Sequence, residues 1–275
     1  MRHLGLKIRM LIAGSVLFAL YAVAAAVAMG VFGLSLPLVL VGSIGLVGFQ
    51  YKIGKWAALR SVGADDLPES RAPEIHRRVE SLSNDMGIEK PRLMVAKMGV
   101  PNAFAVGRKG AGTVVVSQEL LNRLNSDEVE GVLAHELAHI RNRDVVMMVL
   151  GQGIASIVAI TAEWAVLLTG DNDLADFFMA IVVGQVVQML VMTVVFAISR
   201  YREYVADRDA ASEIGGGEPL ASALEKISRG NERSRKSEVD ANVNALCIFG
   251  DGVGIARLFA THPPVEKRIE RLRSY

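Results

Sequence analysis

The sequence predicts a mainly α-helical protein in which four transmembrane helices are combined with a polar α+β part that carries a small antiparallel sheet. Two observations of composition support this fold class. Hydrophobic residues make up 51% of the 275 residues, while charged residues make up 21%. The apolar residues are concentrated in long uncharged runs, and the polar segments between them show the periodicities of helices and short strands.

The first uncharged run covers residues 10–51. As a single helix it would reach about 63 Å, which is twice the hydrocarbon thickness of about 30 Å, so we predict two spans joined near residues 30–37. An alternative is a cleaved signal peptide that ends near Ala26, Val27 and Ala28. The apolar run continues well past that position, which favours the two spans.

Two further runs predict a transmembrane hairpin. Residues 145–170 carry a single acid, Glu163, and residues 177–199 carry no charge. Each run is long enough to cross a bilayer, so a lipid bilayer is a predicted partner. The alternative is a hairpin buried in a large soluble core. We expect Gln185 and Gln188 to form hydrogen bonds between helices.

Basic residues flank one end of each of the four predicted spans. They are absent from the turn between the first two spans and from the turn between the last two. They are Arg2, Lys7, Arg9, Lys52, Lys55, Arg60, Arg141, Arg143, Arg200, Arg202 and Arg208. By the positive-inside rule this side is the cytoplasm, so we predict an integral, multi-pass protein of the cytoplasmic (inner) membrane. The predicted organisation is two N-terminal spans in 1–51, a first cytoplasmic part in 52–144, a transmembrane hairpin in 145–199 and a second cytoplasmic part in 200–275.

The first cytoplasmic part has its own helix and strand patterns. Helical spacing of apolar residues over 74–86, after Pro73 and before Gly87, predicts a packing helix. Residues 92–96, 103–106 and 113–116 are predicted strands, and a Gly-rich turn joins the last two. Asn102 would lie beside the outermost strand, where an extended peptide could add to the sheet; the alternative is a turn residue after Pro101.

The segment HELAH, at positions 135–139, predicts a zinc site on a helix. Residues four apart share one face, so His135 and His139 can reach one Zn²⁺ ion while Glu136 can act as a general base. Asn125 or Ser126 can cap this helix, and with Asn125 as the cap Glu128 would complete a capping box. The alternative is that both histidines are ordinary polar residues on an amphipathic helix.

A catalytic zinc site usually has three protein ligands, so a third must come from elsewhere in the chain. The metzincin pattern would need Gly and His where Asn142 and Val145 stand, which excludes that arrangement. Glu203, directly after the fourth span, is the predicted third ligand for one Zn²⁺ per chain. Asp207 shares its face and could accept a hydrogen bond from a ligating histidine. Without a metal, both acids would form solvated surface pairs.

Four segments carry a resemblance to a known family: PNAFAVG at 101–107, HELAHIRNRD at 135–144, SRYREYVAD at 199–207 and THPPVEKRIERL at 261–272. With the apolar spans they cover most of the chain in order. The chain resembles the HtpX-type membrane zinc endopeptidases and, more distantly, the CaaX prenyl endopeptidases. The resemblance implies a zincin-like (gluzincin) protease domain in two parts, which cuts protein and peptide substrates, misfolded membrane proteins among them, in quality control and stress response.

The predicted reaction is metal-assisted peptide hydrolysis. Zinc would polarise the scissile carbonyl, while Glu136 would take a proton from the attacking water and deliver it to the leaving amine. His262 could donate to the charge on the carbonyl oxygen, and Arg268 could do the same or bind Glu203 from behind. The alternative is a capping histidine and a solvated arginine. Two other functions were weighed: a membrane scaffold or chaperone with a structural zinc, and a metal transporter, which would need polar ligands at membrane depth.

The remaining signals are weaker. The single Cys247 can form no internal disulfide, which agrees with a reducing compartment, and we expect a small apolar residue there. A net charge of +1 gives no sign of nucleic-acid binding. Residues 228–244 are polar and irregular, and we hypothesise that they restrain activity. The sequence carries no signal for an oligomeric state.

Overall fold

The computed structural model describes residues 4–171, 173–234 and 262–275. In this part of the chain there are nine helices and four strands. The helices are α1 (Leu4–Phe32), α2 (Leu36–Ser61), α3 (Pro73–Met86), α4 (Gln118–Arg123), α5 (Ser126–Asn142), α6 (Asp144–Thr169), α7 (Leu174–Ile214), α8 (Glu218–Ser234) and α9 (Val265–Leu272). The strands are β1 (Asp65–Asp66), β2 (Arg92–Ala96), β3 (Ala103–Val106) and β4 (Thr113–Ser117).

The chain divides into two compact units. Met1–Ile53 and Met147–Ile198 form the first, which we call the membrane unit, and Gly54–Val146 and Ser199–Tyr275 form the second, which we call the site unit. Among the described residues, four helices are long and apolar enough to cross a bilayer: α1, α2, α6 and α7. The predicted four apolar spans are therefore confirmed as helices.

Two of these helices extend beyond the spans predicted from charge. Helix α2 continues ten residues past the end of the uncharged run, to Ser61, and α7 is one helix of 41 residues that continues to Ile214. The physical reason is that lysine, arginine and glutamate are good helix formers, so charge ends an apolar span without ending the helix. The predicted third ligand thus lies on the same helix as the fourth span.

The membrane unit buries few side chains. Leu17, Ala155, Val191 and Val195 form a small apolar cluster, and Gly151 allows a close approach because a Cβ there would lie 2.8 Å from a methyl group of Val195. Side-chain hydrogen bonds of this unit run from Gln50 Nε2 to Ser156 Oγ at 3.0 Å and from the Tyr21 hydroxyl to Ser43 Oγ at 3.1 Å. Large apolar side chains point outward instead, among them Leu11, Ile44 and Leu174 at 71%, 73% and 71% exposure.

The site unit contains a four-stranded sheet in the order β1-β2-β4-β3. Strand β3 is antiparallel to β4, as predicted, but β2 pairs with β4 in parallel, with Leu93 opposite Val114. The prediction of a wholly antiparallel sheet is therefore wrong for that pairing, because β4, buried on both faces, lies between β2 and β3. Strand β1, antiparallel to β2, was not predicted, since two residues are too short to show a period.

Apolar residues cover both faces of this sheet. Leu93, Val95, Val114 and Val116 belong to the main core, which α3, α5 and α8 complete. The opposite face packs Met94, Phe104, Val106 and Val115 with Val62 and the residues around it. Helix α5 is enclosed by α3, α8 and β3, and Leu133, Ala134 and Leu137 are fully buried. The helix that carries HELAH is therefore a core element with little freedom to move.

Several local predictions are confirmed at the ends of the helices. At the start of α5 the Asn125 side chain accepts from the Glu128 amide at 2.9 Å, and the Glu128 carboxylate accepts from the Asn125 amide at 2.9 Å. Helix α3 ends at Gly87, whose φ is 66°. The prediction of irregular structure is wrong for residues 228–234, which belong to α8. Residues 235–244 and Cys247 lie outside the described residues.

Candidate metal centre

Helices α5 and α7 bring His135, His139 and Glu203 together. The Nε2 atoms of the two histidines are 3.0 Å apart. Glu203 Oε2 lies 3.6 Å from His135 Nε2, and Glu203 Oε1 lies 3.4 Å from His139 Nε2. One ligand atom from each of the three residues therefore lies within 4.8 Å of the other two. These are the three residues that the sequence predicts as zinc ligands.

The dimensions of this cluster fit a tetrahedral zinc ion. With bonds of about 2.0–2.1 Å, tetrahedral coordination separates two ligand atoms by about 3.3–3.4 Å. The three measured separations of 3.0, 3.6 and 3.4 Å lie on either side of that value. Two imidazoles and one carboxylate are also the donor set of many catalytic zinc sites, which leave one position for water or substrate. His135, His139 and Glu203 could hold such an ion with small side-chain adjustments.

Asp207 and Arg268 support one side of the cluster. Asp207 Oδ1 lies 3.0 Å from His135 Nδ1, the position that an orienting carboxylate requires. The Arg268 guanidinium donates to both oxygens of Asp207, at 2.8 and 2.6 Å, and its Nη1 lies 3.0 Å from Glu203 Oε2. Arg268 is 1% exposed, so it is not the solvated arginine of the alternative interpretation.

On the other side of the cluster, His139 contacts a carboxylate that the sequence reasoning missed. Asp144 Oδ2 lies 2.6 Å from His139 Nδ1, and Asp144 is itself paired with Arg202. The only signal in the sequence is an acid five residues after the second histidine. That spacing argued against a contact, because residues five apart lie roughly 140° apart around a continuous helix.

Six acidic and basic side chains around the two histidines are buried. They are four carboxylates, Glu136, Asp144, Glu203 and Asp207, and two guanidiniums, Arg202 and Arg268. The acids outnumber the guanidiniums by two in a region that water reaches poorly, and this excess remains whenever the histidines are neutral, which is the form that binds metal. Burying uncompensated charge is expensive, and one divalent cation would offset this excess. The charge balance thus agrees with the ligand geometry.

The electrostatics keep Glu203 and Asp207 ionised. Burial alone would raise the pKa of Glu203, but the positive charges of His262, Arg268 and His139 hold it well below its usual range. Burial would likewise raise the pKa of Asp207, but Arg268 and His135 outweigh it and the pKa of Asp207 is lowered. Burial lowers the pKa of Arg202 to about 10, so its guanidinium remains charged at neutral pH. Ionised carboxylates are the form that binds metal.

The remaining predicted site residues lie as follows. Glu136 is buried at 3% exposure next to His135 on α5. His262 Nδ1 lies 3.1 Å from Glu203 Oε2, which places this residue at the cluster. Asn102 precedes β3 and is buried, and its backbone pairs with Ser117, whose hydroxyl accepts from the Asn102 amide at 2.9 Å. The structure thus brings His262 and Arg268 to the histidines and places Asn102 at the start of an edge strand.

An HExxH helix, a glutamate from a later helix and four apolar helices together define the class of membrane metallopeptidases. Comparison with known proteins narrows the class to a family. The sequence model of "Peptidase family M48" matches residues 69–275, and the chain belongs to that family. It is therefore a membrane protease of a metalloprotease family, and the predicted HtpX-type resemblance is confirmed.

Two relatives support this assignment. A "Protease HtpX homolog" from Halobacterium salinarum is 60% identical, and the match covers 96% of this chain and 100% of the relative. A protein of the same name from Thermococcus sibiricus is 41% identical over 82% of this chain and 81% of its own length.

A solved structure is similar in fold. The crystal structure of S. mikatae Ste24p matches with a TM-score of 0.60 and 17% sequence identity, and the match covers 98% of this chain and 66% of that one. At this identity the similarity concerns the fold alone.

Proposed function

We propose that this protein is an integral membrane zinc endopeptidase that cleaves proteins at the cytoplasmic side of the membrane. The observation that carries the proposal is the convergence of His135, His139 and Glu203 from two helices at separations of 3.0 to 3.6 Å. Glu136, on the same helix as both histidines, supplies a buried carboxylate beside them. A metal site with an adjacent base is the minimum that peptide hydrolysis by a zincin requires.

Each side chain then has a definite task. A zinc ion bound by His135, His139 and Glu203 supplies a Lewis acid that polarises the scissile carbonyl and lowers the pKa of water. Glu136 accepts a proton from the attacking water and holds it for the leaving amine, which requires that its carboxylate stays off the metal. His262 donates a hydrogen bond to the carbonyl oxygen as negative charge develops there.

Arg268 is better suited to positioning than to contact with substrate. Its Nε and Nη2 atoms are used by Asp207, and its Nη1 faces Glu203 at 3.0 Å. All three guanidinium nitrogens therefore face carboxylates of the protein itself. Of the two roles predicted for Arg268, binding Glu203 from behind is the one that this geometry supports.

Substrate backbone is proposed to bind along β3. In the part of the sheet that the structure describes, β3 is an edge strand, and it packs against α5. A peptide added to this edge would be held through its main chain, so sequences of many kinds could bind. Asn102 directly precedes the strand but is 1% exposed, so it would contact that peptide only if binding uncovered its side chain. Unfolded segments of membrane proteins, which are already extended, are the substrates that this mode favours, and their removal is a task of membrane quality control.

The cytoplasmic orientation is proposed from the distribution of basic residues. Lys52, Lys55, Arg200 and Arg202 follow apolar spans, whereas the turn between α1 and α2 carries no basic residue. Reporter domains fused within that turn and at the C-terminus test this orientation. We expect the C-terminal reporter to be active in the cytoplasm and the reporter in the turn to be active outside, and the reverse pattern would contradict the proposal.

The decisive experiment is Glu136→Gln in the purified full-length protein in detergent. We expect the variant to retain one zinc per chain and to lose casein cleavage by about 10²–10⁴-fold, because only the base is removed. Glu130→Gln is the matched control, since Glu130 lies on the same helix and pairs with Arg78 instead; it should cleave at the wild-type rate.

Two other measurements complete this test. A chelator should abolish casein cleavage, and Glu203→Ala should lower zinc content. Undiminished cleavage by Glu136→Gln would remove Glu136 as the base, and undiminished zinc affinity in Glu203→Ala would remove Glu203 from the site. A scaffold with a structural zinc would bind the metal and show no cleavage even as the wild-type protein.

A further inference from the structure

The two histidines of the metal centre contact different carboxylates. His135 Nδ1 faces Asp207 of α7, while His139 Nδ1 faces Asp144 Oδ2 at 2.6 Å. A ring that donates its Nδ1–H to a carboxylate is held in one orientation and one tautomer, with Nε2 left free as a metal ligand. The proposed hydrolysis gives no role to Asp144 or to its partner Arg202.

The backbone between α5 and α6 makes the Asp144 contact possible. In an unbroken helix Asp144 would lie roughly 140° around the axis from His139, out of its reach. The chain instead breaks at Arg143, whose φ of 58° is the one positive value at a non-glycine residue in the described part of the chain. This left-handed residue ends α5 and turns Asp144 back over the last turn that contains His139. An exposed arginine in this conformation carries a backbone cost.

Arg202 fixes Asp144 in that position. Its guanidinium pairs with Asp144 Oδ1, and it also donates to the backbone oxygen of Asn142 at 3.1 Å and lies 3.4 Å from that of Asp144. Arg202 is 3% exposed and Asp144 is 7% exposed. Water reaches neither side chain, so breaking the pair would leave two buried charges without a counter-ion. The pair should therefore stay formed.

We infer that Asp144 is the positioning residue for His139, and that Arg202 holds Asp144 in place, so that the two ligand histidines are oriented by two separate carboxylates. The segment of α7 around residue 203 would then contribute twice, through Glu203 as a ligand and through Arg202 as the support of another ligand. The inference rests on the proposed function, because it concerns the same metal centre. It predicts that metal affinity depends on two residues that do not touch the metal.

Metal binding by Asp144→Asn, Asp144→Ala and Arg202→Gln tests the inference in the full-length protein. The zinc dissociation constant is measured by competition with a fluorescent zinc indicator. We expect each variant to bind Zn²⁺ about 10–100-fold more weakly than the wild type, the usual effect of losing a partner of a ligating histidine. With Co²⁺ in place of zinc, we expect the visible absorption bands to shift, because the ligand field changes when the His139 ring turns.

Arg141→Gln is the matched control. Arg141 also joins α5 to α7, through Asp209 and Glu213 at 2.7 Å each, and those carboxylates belong to a separate cluster of charges. We expect its zinc affinity to stay within twofold of the wild type and its Co²⁺ spectrum to be unchanged. The double variant Asp144→Asn/Arg202→Gln should bind zinc no more weakly than the worse single variant, because both changes break one support.

The outcomes separate this inference from the proposed function. If Asp144→Asn and Arg202→Gln stay folded and bind zinc as tightly as Arg141→Gln, the inference is wrong while the metal centre stands. A loss of folding would show in each variant as a loss of its own thermal stability. If zinc affinity only follows thermal stability across the four single variants, Arg141→Gln included, the positioning role is also wrong. A wild-type protein that binds no zinc would overturn the proposed function and the inference together.

Discussion

The two units of this protein use apolar and polar residues in opposite ways. In the membrane unit, large apolar side chains such as Ile44 are exposed, at 73%, and a single hydrogen bond, between Gln50 and Ser156, joins α2 to α6. In the site unit the apolar side chains form the core, and ionised groups such as Arg268 and Glu203 are also buried.

The difference teaches what solvent each unit is built for. A bilayer solvates apolar side chains, so the membrane unit gains little by burying them and packs through small residues and occasional hydrogen bonds. Water solvates apolar side chains poorly, so the site unit must enclose its apolar residues. Once that core exists, buried charges can be kept there only in pairs, and such pairs surround the candidate metal centre.

The largest effect expected is from a change to the buried charge cluster. Arg268→Met should lower the stability of the site unit by about 3–5 kcal/mol, because it leaves Asp207 and Glu203 as buried carboxylates without the guanidinium that pairs with both. Arg273→Met is the control: its side chain is 48% exposed although it also pairs with two acids, and it should behave like the wild type. Thermal unfolding in detergent, at fixed zinc concentration, measures both. Equal shifts would contradict the assignment of a special environment to Arg268.

Truncating a leucine to alanine should cost much more stability in the site unit than in the membrane unit. Leu224→Ala removes a side chain that is 1% exposed in the core of the site unit, and it should cost about 2–5 kcal/mol. Leu11 is 71% exposed on α1, so Leu11→Ala should change the unfolding temperature little in a lipid nanodisc. A comparable loss of stability for Leu11→Ala would show that this face of α1 packs against protein and not against lipid.

Glycines in helices offer a finer comparison. A Cβ at Gly131 would lie 2.9 Å from the backbone nitrogen of Leu220, so Gly131→Ala should push α8 away from α5 and cost about 1–3 kcal/mol. Gly42 of α2 has nothing within 4 Å of the corresponding position. Gly42→Ala should therefore stabilise the helix by about 0.5–1 kcal/mol. Destabilisation at Gly42 would indicate a packed neighbour at this position.

The smallest effects concern one polar contact in each unit. Burial would raise the pKa of Glu128, but hydrogen bonds from Lys226 and Ser222 outweigh it and the pKa of Glu128 lies below its ordinary value of 4.5. Because the pKa is depressed on folding, its ionised form stabilises the fold above pH 4.5, and that contribution is lost as the pH falls through the folded value. Glu128→Gln should thus cost about 1 kcal/mol at pH 7 and progressively less below pH 4.5.

Ser156→Ala is the counterpart in the membrane unit. It removes the acceptor for Gln50, a neutral contact, and should cost about 0.6 kcal/mol at every pH. Unfolding temperatures measured from pH 2.5 to pH 8, each relative to the wild type at the same pH, compare the two variants. A pH-dependent cost for Ser156→Ala, or a constant cost for Glu128→Gln, would contradict this difference between the units.

Local patterns allowed most of the fold and the core of the site to be predicted. Charge-free runs marked the four spans, and the capping box of Asn125 and Glu128 marked the start of α5. Spacing on a helix placed His135 and His139 on one face, and the family resemblance implied the rest of the protease. The sheet was less predictable, because strand period does not tell which strands are neighbours, and β4 came to lie between β2 and β3.

The residues around the three proposed ligands also differ in whether the sequence could predict them. Asp207 could be anticipated because it shares a helical face with Glu203. Asp144 and Arg202 could not, because their contact with His139 depends on a left-handed Arg143, and neither helix spacing nor composition predicts that conformation for an arginine.

By itself, then, the sequence determined which helices are apolar, which helix presents two histidines with a glutamate beside them, and which family the protein resembles. The apolar helices and the paired histidines follow from composition and from periodicity over one or two helical turns, whereas the family resemblance rests on the four motif segments. Only the tertiary structure decided that Glu203 meets both histidines, that Arg268 is buried against Asp207 and Glu203, and that Asp144 faces His139. Those contacts join residues of different helices, and burial, by excluding water, is what makes their charges depend on one another.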